Sequence, residues 1–120
     1  MANRESPWTR DICNELVEQG AWFFAIVGGK FQKSGLPDRV IAHRTTGVMF
    51  LEFKGEKTKV KPIQRYVMNE MRRRVESSCV VVRCPDRVEN PDGTLLCRFD
   101  GSGHGLLLAL AALRAEETSL

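Results

Sequence analysis

Asp38, Glu52, Lys54 and Gln64 are the residues of this 120-residue chain whose types and order could carry out chemistry. Glu52 and Lys54 stand two apart in the apolar run VMFLEFK, residues 48 to 54. On a strand, a period of two sets both side chains on one face and Phe53 on the other. Asp38 ends the turn-forming sequence GLPD, and RVIAH (39 to 43) after it reads as the first strand of a hairpin whose second strand holds Glu52. Asp38 can therefore lie beside Glu52 across the ladder. Two carboxylates converging with a backbone carbonyl are the hard oxygen donors that Mg²⁺ prefers, water and a phosphate oxygen completing the octahedron. A metal there would polarise a phosphodiester and acidify bound water, while Lys54 would orient that water or stabilise developing negative charge. Gln64 lies one turn into a helix opening at Pro62, on the same stripe as Met68, Met71 and Val75. An inward amide needs a partner, and the carboxylate site offers one. Singly, these residues read as a surface ion pair, a turn start and a solvated glutamine. Together, in this order on a hairpin followed by a helix, they read as a site.

Charge placement supports the same chemistry. The net charge is only +3. Between positions 54 and 74, however, Lys54, Lys57, Lys59, Lys61, Arg65, Arg72, Arg73 and Arg74 face only Glu56 and Glu70, a local excess of six that leaves the rest of the chain at −3. A basic segment directly after a carboxylate pair lets phosphate approach acidic metal ligands without being repelled.

The elements that must position these residues follow from periodicity and turn signals. Ser6 and Pro7 open a helix over about 7 to 19, with Trp8, Ile12 and Leu16 recurring every four residues until Gly20. The run AWFFAIV (21 to 27) reads as a buried strand, and GGKFQKSGLPD as a loop. The hairpin strands 39 to 43 and 48 to 54 come next, then a helix from Pro62 to about Val75 with Ile63, Val67, Met68, Met71 and Val75 facing inward. Residues 78 to 83 (SCVVVR) have the look of a central strand, DRVENPDGT of a polar excursion, LLCRF (95 to 99) of an edge strand, and Leu106 to about Glu116 of an apolar helix. The order αβββαββα predicts an α/β sandwich around a mixed sheet.

The joint pattern, GLPDRVIA followed by VMFLEFKG and then KPIQ, resembles the PD-(D/E)xK nuclease superfamily, most closely its virus-type replication-repair nuclease (VRR-NUC) branch. The resemblance spans roughly residues 5 to 83 and leaves 84 to 120 as an extension. It implies a restriction-endonuclease-like fold, a mixed central sheet flanked by helices. It also implies that Asp38 and Glu52 bind Mg²⁺ or Mn²⁺ with the Phe53 carbonyl, that Lys54 is catalytic and that Gln64 belongs to the site. The resemblance further implies that an early glutamate on the first helix completes the metal site. Glu5 is the candidate, within about 20° of Ile12 on a helical wheel, whereas Glu15 falls at the edge of that face and Glu18 opposite it. Pro7 stands between Glu5 and the helix proper.

These features predict a metal-dependent DNA endonuclease, structure-selective on branched DNA such as four-way junctions, and a homodimer. Lys30 and Lys33, with Lys57, Lys59, Lys61, Arg65 and Arg72 to Arg74, would grip backbone phosphates. The alternatives are a DNA-binding or assembly module of the same fold without catalysis, and a restriction-type enzyme cutting fixed sequences. Length implies one domain, and 42% hydrophobic with 28% charged residues excludes a disordered chain. The longest apolar run, LLLALAAL, falls far short of the roughly 18 residues of a membrane span. With no secretory signal visible, an intracellular protein of a bacterial or phage-infected host is expected. Cys13, Cys79, Cys84 and Cys97 lie in apolar contexts, form no CxxC pair and predict buried, reduced thiols. His43 and His104 stand alone, as surface or structural histidines.

Overall fold

The computed structural model describes residues 6–26, 35–76 and 78–118. Helix α1 (Pro7–Glu18) begins where Ser6 accepts a hydrogen bond from the Thr9 N–H (3.1 Å) and Pro7 takes the first helical position. It ends at Gly20, whose φ of +89° favours a residue without a Cβ. Strands β1 (Trp22–Ala25), β2 (Arg39–His43) and β3 (Gly47–Lys54) follow, then helix α2 (Pro62–Arg74), strands β4 (Cys79–Arg83), β5 (Arg87–Glu89) and β6 (Leu95–Arg98), and helix α3 (Gly103–Thr118). The six strands form one sheet in the order β1-β2-β3-β4-β5-β6. Only β3 and β4 pair in parallel, because α2 carries the chain back between them; the other neighbours are antiparallel.

The sheet is covered on both faces by different residues of the same strands. Leu51 and Phe53 of β3 and Val80 and Val82 of β4 join Ile12, Leu16, Leu106 and Leu110 in the larger core beneath α1 and α3. The alternate residues Cys79 and Val81 pack with Met68 beneath α2, against Phe50, Val60 and Met71. Each fully buried aliphatic side chain contributes about 1.5–3 kcal/mol relative to exposure. The continuous apolar reading of β4 as a central strand is thereby explained: both of its faces are covered. The radius of gyration, 13.4 Å, is that of a compact α/β domain of this length. Among the described residues no helix is long and apolar enough to cross a membrane.

Several boundaries and roles differ from the sequence expectation. Of the run at 21 to 27, Val27 lies outside the described residues and the rest is not a buried strand. Its regular part is β1, an edge strand, where Phe23 packs inward on Phe53 while Trp22 is 75% and Phe24 47% exposed. An apolar run shows that a strand forms but not whether a helix covers both its faces. The polar excursion after Cys84 contains β5, giving αβββαβββα. Val88 there is fully buried and Glu89 is 4% exposed, because Arg83 pairs with it (2.8 Å). On α2, Ile63 and Val75 are about half exposed rather than inward, leaving Val67 and Met68 as the buried residues. Helix α3 starts three residues early: Ser102 Oγ accepts from the Gly105 N–H (3.0 Å), and Glu15 Oε1 accepts from the Gly103 N–H (2.6 Å). Its Leu106 and Leu110 are core, while Leu108 is 59% exposed. All four cysteines are free thiols, but only Cys79 is fully buried.

Candidate metal and phosphate site

Strand register brings Asp38 and Glu52 together. Arg39 pairs with Leu51 across β2 and β3, so one step further along the ladder Asp38 stands opposite Glu52. The two are joined through the backbone: the Asp38 N–H donates to Glu52 Oε1 (3.1 Å), and the Phe53 N–H donates to Asp38 Oδ1 (3.4 Å). The Asp38 carbonyl accepts from the Ile26 N–H (2.8 Å), which ties β1 to the same point. The glycine of GLPD has two physical reasons to be there. Gly35 adopts φ +87°, and a Cβ on it would come within 2.7 Å of the Ile63 carbonyl oxygen on α2. The turn leading into Asp38 is therefore pressed against the first turn of α2.

Lys54 and Gln64 complete the cluster around Glu52. Lys54 Nζ lies 3.4 Å from Glu52 Oε2, with both side chains buried, 10% and 5% exposed respectively. Gln64 Nε2 donates to the same oxygen (3.0 Å), while Gln64 Oε1 accepts from the Lys61 N–H (3.1 Å). One amide thus caps α2 and binds the carboxylate. Lys61 at the N-cap brings an ammonium, which cannot accept a hydrogen bond, and the third helical residue accepts from the Lys61 N–H instead. Phe53, on the opposite face, is wedged against Trp8 and Phe23 (ring centroids 5.9 and 6.4 Å) and so fixes the peptide between the two charged residues.

The electrostatics are those of two carboxylates held partly out of water, Glu52 beside Lys54 and Asp38 beside Arg39. Burial pushes the Glu52 carboxyl above its ordinary value, the charge of Asp38 pushes it further, and Lys54 and Gln64 oppose the rise. Burial also raises Asp38, against the opposing pull of Arg39, the Phe53 N–H and Lys54. Two desolvated carboxylates held against each other cost free energy that a cation between them would recover.

The donors present fit a hard divalent cation. In an antiparallel ladder a residue's N–H and C=O point to the same side, so the Phe53 carbonyl faces the same neighbour as the N–H that reaches Asp38. The residue opposite Phe53 in this register is Pro37, which has no N–H to offer it. Asp38, Glu52 and that carbonyl are all oxygen donors, and Asp38 keeps 40% of its side chain exposed toward solvent. Among the described residues no group of three or more His, Cys, Asp or Glu side chains gathers at one point. Water and substrate would therefore supply the remaining ligands, as Mg²⁺ commonly requires.

The other expected site residues divide. Glu5, Lys30 and Lys33 lie outside the described residues. Glu15 is occupied at the start of α3 and Glu18 is exposed on α1. Lys57, Lys59, Lys61 and Arg65 are exposed, as a phosphate grip requires. Arg72 instead donates to the Cys79 carbonyl (2.7 Å) and ties α2 to β4, while Arg73 and Arg74 pair with Glu70 (2.7 and 3.1 Å). The run of three arginines is thus partly a helix-end tie. Sequence reasoning missed Arg39, which lies 3.5 Å from Asp38 Oδ2 and donates to the Asp38 carbonyl (3.1 Å). Its position directly after GLPD was the signal. Comparison with protein-family models and with curated proteins gave no match.

Proposed function

We propose that the protein is a Mg²⁺- or Mn²⁺-dependent DNA endonuclease of PD-(D/E)xK type, acting as a homodimer on branched DNA. One observation carries this: Asp38 and Glu52 converge from adjacent strands with Lys54 and Gln64 on the same carboxylate. The motif resemblance supports DNA and branched structures as the substrate class. The exposed Lys57, Lys59, Lys61 and Arg65 support a sequence-independent hold on phosphates.

Asp38, Glu52 and the Phe53 carbonyl would hold the cation, and Gln64 keeps Glu52 in its rotamer. When bound, the cation supplies Lewis-acid polarisation of the phosphodiester. Lys54 has a separate part: its ammonium, 3.4 Å from Glu52 Oε2, is placed to stabilise negative charge developing on the phosphate. Formal charges of −1 on Asp38, −1 on Glu52, +1 on Lys54 and +1 on Arg39 cancel, so a bound dication would turn the cluster to +2 and attract the substrate backbone.

The test is a panel of labelled four-way, flap, splayed and duplex DNAs with Mg²⁺ or Mn²⁺, using wild type, Lys54→Ala and Asp38→Ala. Metal-dependent cleavage that prefers the four-way junction and disappears in both variants is expected. Cleavage that survives both substitutions unchanged would refute the site. Equal cutting of all substrates would refute junction selectivity, and binding without cleavage would leave a DNA-binding module of this fold.

A further inference from the structure

Arg83 ends β4 as a buried cation that the chemistry above does not use. Its side chain is 11% exposed, and it stands beside Lys54 in the parallel register of β3 and β4. Its Nε donates to Glu89 Oε1 (2.8 Å), on a side chain 6% exposed. Its Nη1 donates to two backbone carbonyls, those of Gly55 (2.8 Å) and Thr58. Taking two charges out of water is costly, and a hydrophobic pair of similar volume commonly stabilises a fold as well or better. The pair therefore has to be understood through what it holds.

What it holds is the segment between the two halves of the site. Residues 55 to 61 connect Lys54 at the end of β3 to Gln64 in the first turn of α2, and they carry Lys57, Lys59 and Lys61, all exposed. Within the Gly55–Thr58 turn itself, the Thr58 N–H donates to the Gly55 carbonyl over a long 3.3 Å. Lys54 does not depend on Arg83 in this way, because its own carbonyl accepts from the Cys84 N–H (2.9 Å) in the β3–β4 ladder. Loss of Arg83 would leave the strand end in place and release the loop beyond it.

We infer that Arg83, oriented by Glu89, is a positioning residue that fixes the Gly55–Thr58 loop so that Lys57 and Lys59 meet substrate phosphates. This rests on the nuclease reading for its substrate, and its signature is a defect in binding rather than in turnover. The experiment compares wild type, Arg83→Met, Arg83→Lys and the double variant Arg83→Met/Glu89→Met, which leaves no buried Glu89 charge opposite a missing partner. Two readouts are used: the rate of tryptic cleavage after Lys57 and Lys59, located by mass spectrometry, and DNA binding as a function of salt.

Expected in Arg83→Met and the double variant are faster nicking at those two lysines, a rise in KM or Kd of about tenfold and a log–log salt slope shallower by about 1–2, the contribution of one or two phosphate contacts. The kcat at saturating DNA should stay within about twofold, since Lys54 keeps its ladder bond. Arg83→Lys, with one ammonium in place of a fork, should recover only part of the loss. Wild-type nicking rates with an unchanged salt slope in the folded double variant would overturn the assignment, and so would a fall in kcat with KM unchanged. Neither the tryptic nor the salt readout needs cleavage. A wild type that binds DNA without cutting it would thus sink the nuclease reading while leaving this one to be decided.

Discussion

Replacing Lys54 by Met should weaken the metal-free protein and at the same time tighten its hold on a divalent cation. Lys54 Nζ and Glu52 Oε2 are 3.4 Å apart on side chains 10% and 5% exposed. At an effective dielectric near 20 their attraction is about 4–5 kcal/mol before desolvation is counted. Breaking a buried pair by removing one partner typically costs about 3–5 kcal/mol. Here Glu52 keeps its bonds from the Asp38 N–H and from Gln64, and Asp38 opens to solvent, so a loss of about 2 kcal/mol is reasonable. For a chain of this size that is a fall in Tm of roughly 8 °C. Mn²⁺ should then offset most of that loss. A dication no longer repelled by the ammonium should bind about tenfold more tightly, worth about 1.4 kcal/mol. At a free concentration one hundred times the wild-type Kd, wild type gains about 2.7 kcal/mol and the variant about 1.4 kcal/mol more, closing most of the gap. The assay is thermal unfolding of wild type, Lys54→Met and Asp38→Ala over a Mn²⁺ titration, with cleavage measured in parallel. Lys54→Met should show the larger metal increment and no cleavage, and Asp38→Ala almost no increment. A Lys54→Met protein that melts at or above wild type without metal, or gains no more from Mn²⁺ than wild type does, would refute the electrostatic account of the site.

Gln64→Ala removes both a helix cap and a donor to Glu52 and should cost about 1–2 kcal/mol in denaturant unfolding. Gln64→Glu keeps the cap oxygen but sets a third carboxylate on Glu52, so it should be no more stable than Gln64→Ala at neutral pH. Gly35→Ala meets both a positive φ and the Ile63 carbonyl at 2.7 Å; it should lose about 2 kcal/mol and weaken Mn²⁺ binding measured by calorimetry, because the turn before Asp38 must shift. A Gly35→Ala protein with wild-type metal affinity would show that the turn does not set Asp38. Burial pushes the Cys79 thiol up to about 11 from an ordinary 9.0. A raised folded-state pKa means that its contribution is complete below pH 9.0 and is lost as pH climbs through about 11, by at most about 3 kcal/mol. Cys79→Ala should therefore flatten the alkaline decline of Tm relative to wild type, and an equally steep decline would contradict this.

Much of the fold was legible because its signals were local. SerPro marked the start of α1, Gly20 its end, and the apolar run at 79 to 82 a strand covered on both faces. The site was legible for a related reason: the strand period sets Glu52 with Lys54, and a short hairpin sets Asp38 opposite. What escaped depended on partners distant in sequence. Arg87 and Glu89 read as solvated charges, yet β5 is sheet because Arg83, on the neighbouring strand, neutralises Glu89. Trp22 and Phe24 read as core because their composition is apolar, and no periodicity reveals that α2 lies over β3 and β4 rather than over β1. The arginines after Met71 read as one charge run, and only the structure separates Arg72, held on Cys79, from its neighbours on Glu70.

The way the carboxylates are held also bears on why the short motif GLPD suffices to specify them. Each is fixed by a backbone N–H beside the other: Asp38 supplies one to Glu52, and Phe53 supplies one to Asp38. Their approach is therefore set by strand register, which the buried Ile41, Met49 and Leu51 enforce, since a slip of one residue would turn that entire set to the other face. Pro37 ends the ladder at the point where a further N–H would otherwise engage the Phe53 carbonyl, and Gly35 lets α2, with Gln64, close over the result. A fold that determines register and closure by core packing can hold two like charges together, with Lys54 and Gln64 on Glu52 and Arg39 beside Asp38. The energetic cost falls on the metal-free state, where Lys54 is the nearest compensating charge to Glu52. Stability in the absence of metal and readiness to bind it are then opposed at a single side chain, so substitutions at Lys54 should move the two in opposite directions.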